Sequence, residues 1–340
     1  MGSASSTTDY GKCIAAYAAI LLITISFLFR LWRKAIIAPC KRHVIFITGC
    51  DSGLGYSIAL YAYKLGLTVV AGCLQVESDG AKQLKEKCPD RLHIIQLDIT
   101  NSESVNAAAK WTRELLEKDP NLELKSLVNN AGIMIFGEYE WLTEKHIMNQ
   151  ININVLGTMR ITKALCPLIR KYKGRIIVIS SHCALATLPG LSVYGASKAA
   201  LAAWCDGLRI EQAKYGVPVI TVIPGSFAPQ SNIMSRQKEY AKEMEEEMSS
   251  DDLKFYGNYF KQFNDHLSQI PIPETPVALD DDKLYVTIKE ALLSKYPYPH
   301  YVHEPLRYKY YHFLFKISPT SLRDYFIQRF MQMPAPKEQN

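Results

Sequence analysis

A glycine-rich turn between an apolar run and a helical stretch constrains the fold of this chain most. The turn, Thr48 to Gly55, follows the apolar residues Val44 to Ile47 and precedes Tyr56 to Leu65. A strand, a glycine turn and a helix N-terminus form an anion site, because backbone N–H groups and the helix dipole point at one place. Glycines let the backbone approach a pyrophosphate. A plain tight turn would use similar residues, but the strand–turn–helix context favours dinucleotide binding.

Apolar runs and helical stretches alternate along the rest of the chain. The predicted strands are His43 to Thr48, Leu67 to Gly72, Leu92 to Asp98, Leu124 to Asn129, Arg175 to Ser180, Val217 to Ile223 and His300 to Val302. The predicted helices are Gly53 to Leu65, Ser102 to Lys118 with Ser102 as N-cap, Thr143 to Tyr172 with a bend at Pro167, and Ser192 to Lys214. This alternation predicts a single α/β domain of Rossmann type, with a doubly wound parallel sheet and ligands beyond the carboxyl ends of the strands.

Three residues in the second half of the chain suit proton transfer to or from an alcohol. Tyr194 and Lys198 lie four residues apart in a predicted helix and therefore share one face. An ammonium beside a phenol favours the phenolate and lowers the tyrosine pKa from about 10. Ser181 lies thirteen residues before Tyr194. The Tyr-x-x-x-Lys pattern is short enough to occur by chance on a surface, and the glycine turn upstream favours a functional site.

Two further motifs complete a recognisable order. Leu127 to Gly132 ends the fourth strand, and Asn152 to Gly157 contains Asn154; each could be an ordinary strand cap or a buried helix amide. Together with the motifs above, they resemble the short-chain dehydrogenase/reductase family over about Arg42 to Ile223. The closer resemblance is to its retinol dehydrogenase and hydroxysteroid dehydrogenase branch, whose members are often membrane-bound and act on lipid alcohols.

The resemblance implies an NAD(P)-dependent alcohol dehydrogenase. Tyr194 would be the general base in oxidation and the acid in reduction, and Lys198 would lower its pKa and hold the nicotinamide ribose. Ser181, or its rival Ser180, would donate to the substrate oxygen, and Asn154 would hold a water that links Lys198 to solvent. The cofactor-binding residues implied are Thr48, Gly49, Asp51, Ser52, Gly53, Leu54, Gly55, Asp98, Asn130, Ala131, Gly132, Tyr194, Lys198, Pro224 and Gly225.

NAD is predicted in preference to NADP. The second strand ends Ala71 to Leu74 with neither an acid nor an arginine, but Asp51 in the glycine turn would repel a ribose 2′-phosphate. Asp51 could instead cap the following helix. By resemblance Asp98 would bind the adenine amino group, or it could cap a turn before Thr100.

The residues expected to face the substrate predict a lipophilic alcohol. Ser231 to Pro271 would form a lid rich in mobile apolar side chains, although a lid that packs its own core would use the same residue types. Pro229 departs from the family, which usually has a threonine there that contacts the nicotinamide amide; Ser226 is a candidate substitute. A steroid or retinoid is the favoured substrate. The alternatives are a small hydroxy acid such as 3-hydroxybutyrate, or a non-catalytic lipid-binding or protein-binding relative.

The N-terminus predicts a membrane anchor. Cys13 to Phe29 is an uncharged run of 17 residues, about 26 Å long as a helix and at the short end for a bilayer. The expected organisation is a tail (1–12), an anchor (13–32), the dehydrogenase domain (42–303) and a C-terminal tail (304–340) that rests on the membrane or covers the core. A cleaved signal peptide or a helix lying flat are alternatives. Basic residues after the run favour a cytosolic catalytic domain on the endoplasmic reticulum.

Composition limits the partners. The net charge is +6, with no basic stripe interleaved with aromatics, so no nucleic acid is expected. The eight cysteines are scattered without a Cys-x-x-Cys pair, which predicts reduced thiols and no metal site. A homodimer is implied only by resemblance, because the helix that carries Tyr194 often lies at a dimer interface in this family.

Overall fold

A seven-stranded parallel sheet organises the chain in the computed structural model, which describes residues 14–25 and 35–334. The strands are β1 His43–Thr48, β2 Thr68–Cys73, β3 Leu92–Gln96, β4 Glu123–Asn129, β5 Arg175–Ile179, β6 Val219–Ile223 and β7 His300–Val302. Their order in the sheet is β3-β2-β1-β4-β5-β6-β7. The prediction of one Rossmann-type α/β domain is confirmed. The strand order reverses between β1 and β4, which opens the crevice where such folds bind ligands.

Helices cover both faces of the sheet. They are α1 Gly53–Lys64, α2 Asp79–Lys87, α3 Ser102–Lys118, α4 Glu144–Ile151, α5 Thr158–Lys171, α6 Ser192–Ala213, α7 Gln237–Glu247, α8 Ser250–Leu267, α9 Asp282–Leu293, α10 Leu306–Ile317 and α11 Thr320–Met331. Side chains alternate across β1 because successive residues of a strand point to opposite faces. Ile45 and Ile47 pack with α1, α2 and α9, whereas Val44 and Phe46 pack with α3, α5 and α6.

Two local predictions were wrong. The N-cap of α3 is Asn101 rather than Ser102, because the Asn101 side chain accepts hydrogen bonds from the N–H groups of Glu103 and Ser104. The single helix predicted over residues 143–172 is interrupted by a π-helical turn at Asn152–Gly157. Pro167 lies within α5, which continues to Lys171. The interruption therefore comes at the turn that carries Asn154, well before the proline.

The two ends of the chain differ in how they are packed. Residues 14–25 are helical with exposed apolar side chains, and the rest of the predicted anchor, residues 13 and 26–32, lies outside the described residues. Within the described ranges, no helix combines the length and apolarity needed to cross a membrane. The C-terminal helices α10 and α11 bury Phe315, Ile327 and Phe330, which pack with Leu188 of the loop before α6. The C-terminal segment therefore covers part of the core.

Candidate active site

The carboxyl ends of β1 and β4 are joined by direct hydrogen bonds. Thr48 Oγ1 accepts from the backbone N–H groups of Asn130 and Ala131, each at 3.0 Å. In return, Asn130 Nδ2 donates to the backbone oxygens of Thr48 and Gly49. Gly49 has φ +70°, and a Cβ there would lie 2.9 Å from the Cα of Ala131. The first glycine of the turn is thus required for the two strand ends to meet.

The N-terminus of α1 has the properties of an anion site. Its N-cap residue, Ser52, is extended and makes no side-chain capping hydrogen bond within the described chain. The first turn, Gly53 to Tyr56, carries no acidic residue. A Cβ at Gly55 would lie 2.0 Å from the backbone oxygen of Gly49, so the turn stays narrow and its backbone accessible. No acidic side chain in this turn neutralises the free N–H groups or the positive end of the helix dipole. The helix N-terminus can therefore bind the negatively charged pyrophosphate of a dinucleotide.

Asp51 holds the end of the second strand. Its Oδ2 accepts from the N–H of Leu74 at 2.9 Å, and its Oδ1 accepts from the N–H of Gln75 at 3.0 Å. The hydroxyl of Ser78 adds a longer bond of 3.4 Å. The alternative that Asp51 caps α1 is wrong, since Ser52 is the N-cap. The carboxylate lies instead at the end of β2, where dinucleotide folds keep their ribose-binding acid.

Asp98 is held in a local turn. Its Oδ1 accepts from both the N–H and the hydroxyl of Thr100, at 2.8 and 2.6 Å. Its backbone N–H donates to Ser104 Oγ. The turn-capping alternative is therefore observed, and the adenine contact stays a prediction.

Tyr194, Lys198 and Ser181 come together at the carboxyl end of β5. Tyr194 and Lys198 are both buried on α6, and Lys198 Nζ lies 5.7 Å from the Tyr194 ring centre. The ammonium donates to the backbone oxygen of Ile179, the last residue of β5, at 3.1 Å. Ser181 Oγ accepts from the N–H of Cys183, and Ser181 lies near enough to Tyr194 to act on the pKa of the phenol. Phenol, ammonium and hydroxyl thus share one buried site.

Burial dominates the ionisation of this site. It raises the pKa of Tyr194 well above its usual value, with Cys183 acting in the same direction and Ser181 opposing. Burial lowers the pKa of Lys198 to about 8. We expected Lys198 to lower the pKa of Tyr194, but Lys198 is not among the residues that shift this pKa. Desolvation of the phenolate outweighs the attraction of an ammonium whose hydrogen bond goes to Ile179.

Asn154 fixes the segment that follows β4. It is fully buried in the π-helical turn, and its side chain makes three hydrogen bonds. Oδ1 accepts from the N–H of Ile133 at 2.8 Å, while Nδ2 donates to the Ile133 oxygen and to Ser197 Oγ. A Cβ at Gly132 would lie 3.1 Å from Asn154 Oδ1 and 3.5 Å from Lys198 Nζ. Asn154 and Lys198 therefore flank the same glycine.

The segment after β6 is less enclosed. Pro224 and Gly225 are half-buried beside β7, where His303 donates its N–H to the oxygen of Ile223. Pro229 is exposed in a short 3₁₀ turn, Ala228–Gln230, and Ser226 is also exposed.

Comparison with known proteins identifies the family. The family model for short chain dehydrogenases matches residues 43–240, more than half of the chain. The chain belongs to the short-chain dehydrogenase family.

Three curated relatives of the chain are named for different substrates. The chain is 36% identical over 272 residues to the mitochondrial D-beta-hydroxybutyrate dehydrogenase of Bos taurus, covering 78% of each. It is 30% identical over 336 residues to estradiol 17-beta-dehydrogenase 2 of Rattus norvegicus, covering 94% of this chain and 84% of the relative. It is 35% identical over 242 residues to retinol dehydrogenase 7 of Mus musculus, covering 71% and 75%. The predicted retinol and hydroxysteroid branch is confirmed.

A solved short-chain dehydrogenase from Streptomyces avermitilis shares the fold, with a TM-score of 0.59 and 24% identity over 85% of this chain and 93% of that chain. The family model and the curated relatives show that the chain is an oxidoreductase of the short-chain dehydrogenase type that uses a nicotinamide cofactor on alcohols.

The segment Ser231 to Pro271, which was predicted to form a lid, packs down onto the rest of the domain. Its aromatic residue Phe263 lies under the loop before α6, where a Cβ at Gly190 would meet the ring at 2.8 Å. Trp141 is ringed by aromatic side chains of α8 with ring centres 5.1–5.9 Å away. The buried apolar residues of this segment are Met234, Tyr240, Met244, Phe260, Phe263 and Leu267. These side chains do pack a core of their own, and that core includes Tyr194.

Sequence patterns missed two groups at this site. Ser197 links Asn154 to the backbone oxygen of Tyr194, and its position inside the Tyr-to-Lys motif was the available signal. His182, next to Ser181, lies against Glu304 and His312. No spacing in the sequence relates residue 182 to a segment so far along the chain.

Proposed function

We propose that this dehydrogenase transfers a hydride between NAD and a lipophilic alcohol or ketone of steroid or retinoid type. The observation that carries the proposal is the position of Tyr194 within a cluster of buried apolar residues that includes Leu191, Val193 and Phe263. Apolar walls bind hydrocarbon rings by removing their surface from water. Relatives named estradiol and retinol dehydrogenases support the same substrate class.

In this proposal Tyr194 moves the proton. Its raised pKa keeps the phenol protonated, so in reduction it donates to the carbonyl oxygen of the substrate. Oxidation needs the phenolate as the base, and the positive charge of a bound oxidised nicotinamide would favour that form. Ser181 donates a hydrogen bond to the same oxygen as charge develops on it. Lys198 holds the nicotinamide ribose, and Asn154 keeps the neighbouring backbone in place and holds a water that links Lys198 to solvent. The bound nicotinamide supplies or accepts the hydride.

We assign NAD rather than NADP on the position of Asp51. Its carboxylate lies against the N–H groups of Leu74 and Gln75 at the end of β2. A ribose 2′-phosphate at that strand end would meet this negative charge, whereas ribose hydroxyls can donate to it.

The second candidate substrate is a small hydroxy acid, which the D-beta-hydroxybutyrate dehydrogenase relative favours. The buried apolar side chains around Tyr194 support the lipophilic substrate over this one, because a carboxylate is costly to bury among them.

We also propose that the chain is attached to a membrane through residues 13–32, with the catalytic domain in the cytosol at the endoplasmic reticulum. Residues 14–25 support attachment, because they form a helix whose isoleucine and leucine side chains are 53–68% exposed. Flotation with liposomes of the full chain, compared with a chain lacking residues 1–34, tests attachment. Equal flotation of both proteins would contradict it.

The decisive experiment measures NADH formation by the purified full chain in detergent with estradiol, retinol or 3-hydroxybutyrate. We expect turnover of a lipophilic alcohol and a loss of at least about 100-fold in kcat for Tyr194→Phe. Tyr215→Phe is the matched control, because Tyr215 is 46% exposed just beyond α6. Turnover confined to 3-hydroxybutyrate, or activity that survives in Tyr194→Phe, would overturn the proposal.

A further inference from the structure

Two histidines and a glutamate meet behind the segment that carries Ser181. Glu304 Oε2 lies 2.7 Å from His312 Nδ1 and 3.7 Å from His182 Nδ1. The two imidazole rings stack with their centres 4.2 Å apart. One donor atom from each residue lies within 4.8 Å of the other two. His182 comes from the turn after β5, and the other two residues come from the start of the C-terminal segment and from α10.

The buried histidine of this group lacks an ordinary partner. His182 is 7% exposed, and neither ring nitrogen has a hydrogen-bond partner among the described residues. Buried polar groups left unpaired are uncommon, and each one calls for an explanation such as an ion. His182 Nδ1 faces the Glu304 carboxylate at 3.7 Å, a distance too long for a hydrogen bond.

The separations suit a small cation. Donor atoms on one tetrahedral zinc ion, with bonds of about 2.0–2.1 Å, lie roughly 3.3 Å apart. The two separations from Glu304 lie on either side of that value, and the donor atoms of the two histidines lie within 4.8 Å of each other, so the rings must move together slightly to share one ion. Two imidazoles and one carboxylate are a donor set that suits zinc and its transition-metal neighbours, whereas magnesium and calcium prefer oxygen.

We propose that His182, Glu304 and His312 bind one divalent transition-metal ion of the zinc class, with a water as the fourth ligand. The ion replaces the hydrogen bond between Glu304 and His312 and joins α10 to the turn beside Ser181. Its role is positional: it ties the C-terminal helices to the wall of the active site. The site is separate from the proton-transfer residues and does not depend on which alcohol the enzyme uses.

Metal binding by the full chain tests this proposal directly. The protein is stripped with a chelator, and ZnCl₂ is titrated in against a chromophoric zinc indicator, with CoCl₂ as a second probe whose visible absorption reports tetrahedral coordination. We expect one equivalent to bind, and His312→Ala and Glu304→Gln each to weaken it at least tenfold. His300→Ala is the matched control, because this histidine is half-exposed on β7 and faces Asp206.

A second readout guards against misfolding of the variants. Hydrogen exchange in residues 306–317 should slow when zinc is added to the wild type and to His300→Ala, and should not respond in His312→Ala. No zinc binding by the wild type would overturn the proposal. Binding that is equally tight in His312→Ala and Glu304→Gln would overturn it as well, since the ion would then lie elsewhere.

Discussion

The side chain of Asn154 binds both backbone polar groups of Ile133, accepting from its N–H at 2.8 Å and donating to its oxygen at 2.9 Å. A third bond reaches Ser197, whose hydroxyl donates to the backbone oxygen of Tyr194. One amide therefore connects the end of β4 to the helix that carries the proton-transfer residues. Asn154 makes these bonds from within a π-helical turn, and such turns are frequent at functional sites.

Asn154→Ala should lower both stability and activity. It leaves the N–H and oxygen of Ile133 without their partners, which should cost about 2 kcal/mol. The freed segment should also shift within the site and lower kcat by about 10-fold to 100-fold. Thermal melting and steady-state kinetics measure the two effects.

Asn129→Ala is the control for this prediction. Asn129 is buried and loses the same atoms, but among the described residues its side chain makes a single hydrogen bond, to Thr162. It should cost about 1 kcal/mol and leave kcat nearly unchanged. Equal kcat losses in the two variants would show that Asn154 has no special place in the site.

Ser180 and Ser181 should respond in opposite ways to removal of the hydroxyl. Ser181 acts on the pKa of Tyr194 and in the proposed mechanism donates to the substrate oxygen, so Ser181→Ala should lower kcat by about 100-fold with little change in cofactor affinity. Ser180 is buried with no hydrogen-bond partner for its hydroxyl in the described part of the chain. Ser180→Ala removes an unsatisfied polar group and should be neutral or stabilising by up to about 1 kcal/mol. The reverse ranking of kcat values would assign the role to Ser180.

The sheet was predictable because its signals are local. β1 and β7 begin and end at the predicted residues, His43–Thr48 and His300–Val302, since short apolar runs flanked by turn residues identify strands. The π-helical turn was not predictable from the sequence. A π-turn widens the helix by only one residue, which hardly changes the hydrophobic periodicity, and the hydrogen bonds that Asn154 makes within it reach residues distant in the sequence.

The ionisation of the site also lay beyond local signals. Four-residue spacing correctly predicts that Tyr194 and Lys198 share a face, but their pKa values depend on burial beneath residues from other elements. The contact of His182 with Glu304 and His312 likewise requires the whole fold, because the C-terminal segment must first pack on the domain.

Asp51→Asn should weaken the preference for NAD. The amide keeps the size of the side chain but removes the negative charge from the end of β2. The ratio of kcat/KM with NAD to that with NADP should fall about tenfold, since one charge near a protein surface is worth on the order of 1 kcal/mol or more.

Asp79→Asn provides the comparison for Asp51, because this exposed residue in the first turn of α2 makes the same charge change nearby. Its ratio should change little. If Asp79→Asn lowers the ratio of kcat/KM with NAD to that with NADP as much as Asp51→Asn does, the preference for NAD comes from the overall negative electrostatic potential of this region and not from Asp51 itself.

Lys198→Met should abolish the part of the rise in unfolding free energy with pH that comes from the titration of Lys198. Burial lowers the pKa of Lys198 from 10.5 to about 8, so the folded chain gives up this proton at lower pH than the unfolded chain. Between these values the unfolded chain binds more protons, and the free energy of unfolding therefore rises with pH. The penalty of the buried charge is present in full below about pH 8 and disappears above the unfolded value. Although the methionine loses the bond to Ile179, the variant should be more stable than the wild type at pH 7, by about 2 kcal/mol.

The measurement is the difference in unfolding free energy between wild type and Lys198→Met, from denaturant titrations at pH 7 to 11. Taking the difference cancels the buried thiols, such as Cys50, whose raised pKa acts in the opposite direction over the same range. Lys214→Met, at the C-cap of α6, should show a flat and small difference. The advantage of Lys198→Met should shrink through the window as the wild-type lysine loses its charge. A difference that stays constant from pH 7 to 11 would mean that Lys198 has the same pKa in the folded and unfolded chains, and burial would then not destabilise its ammonium.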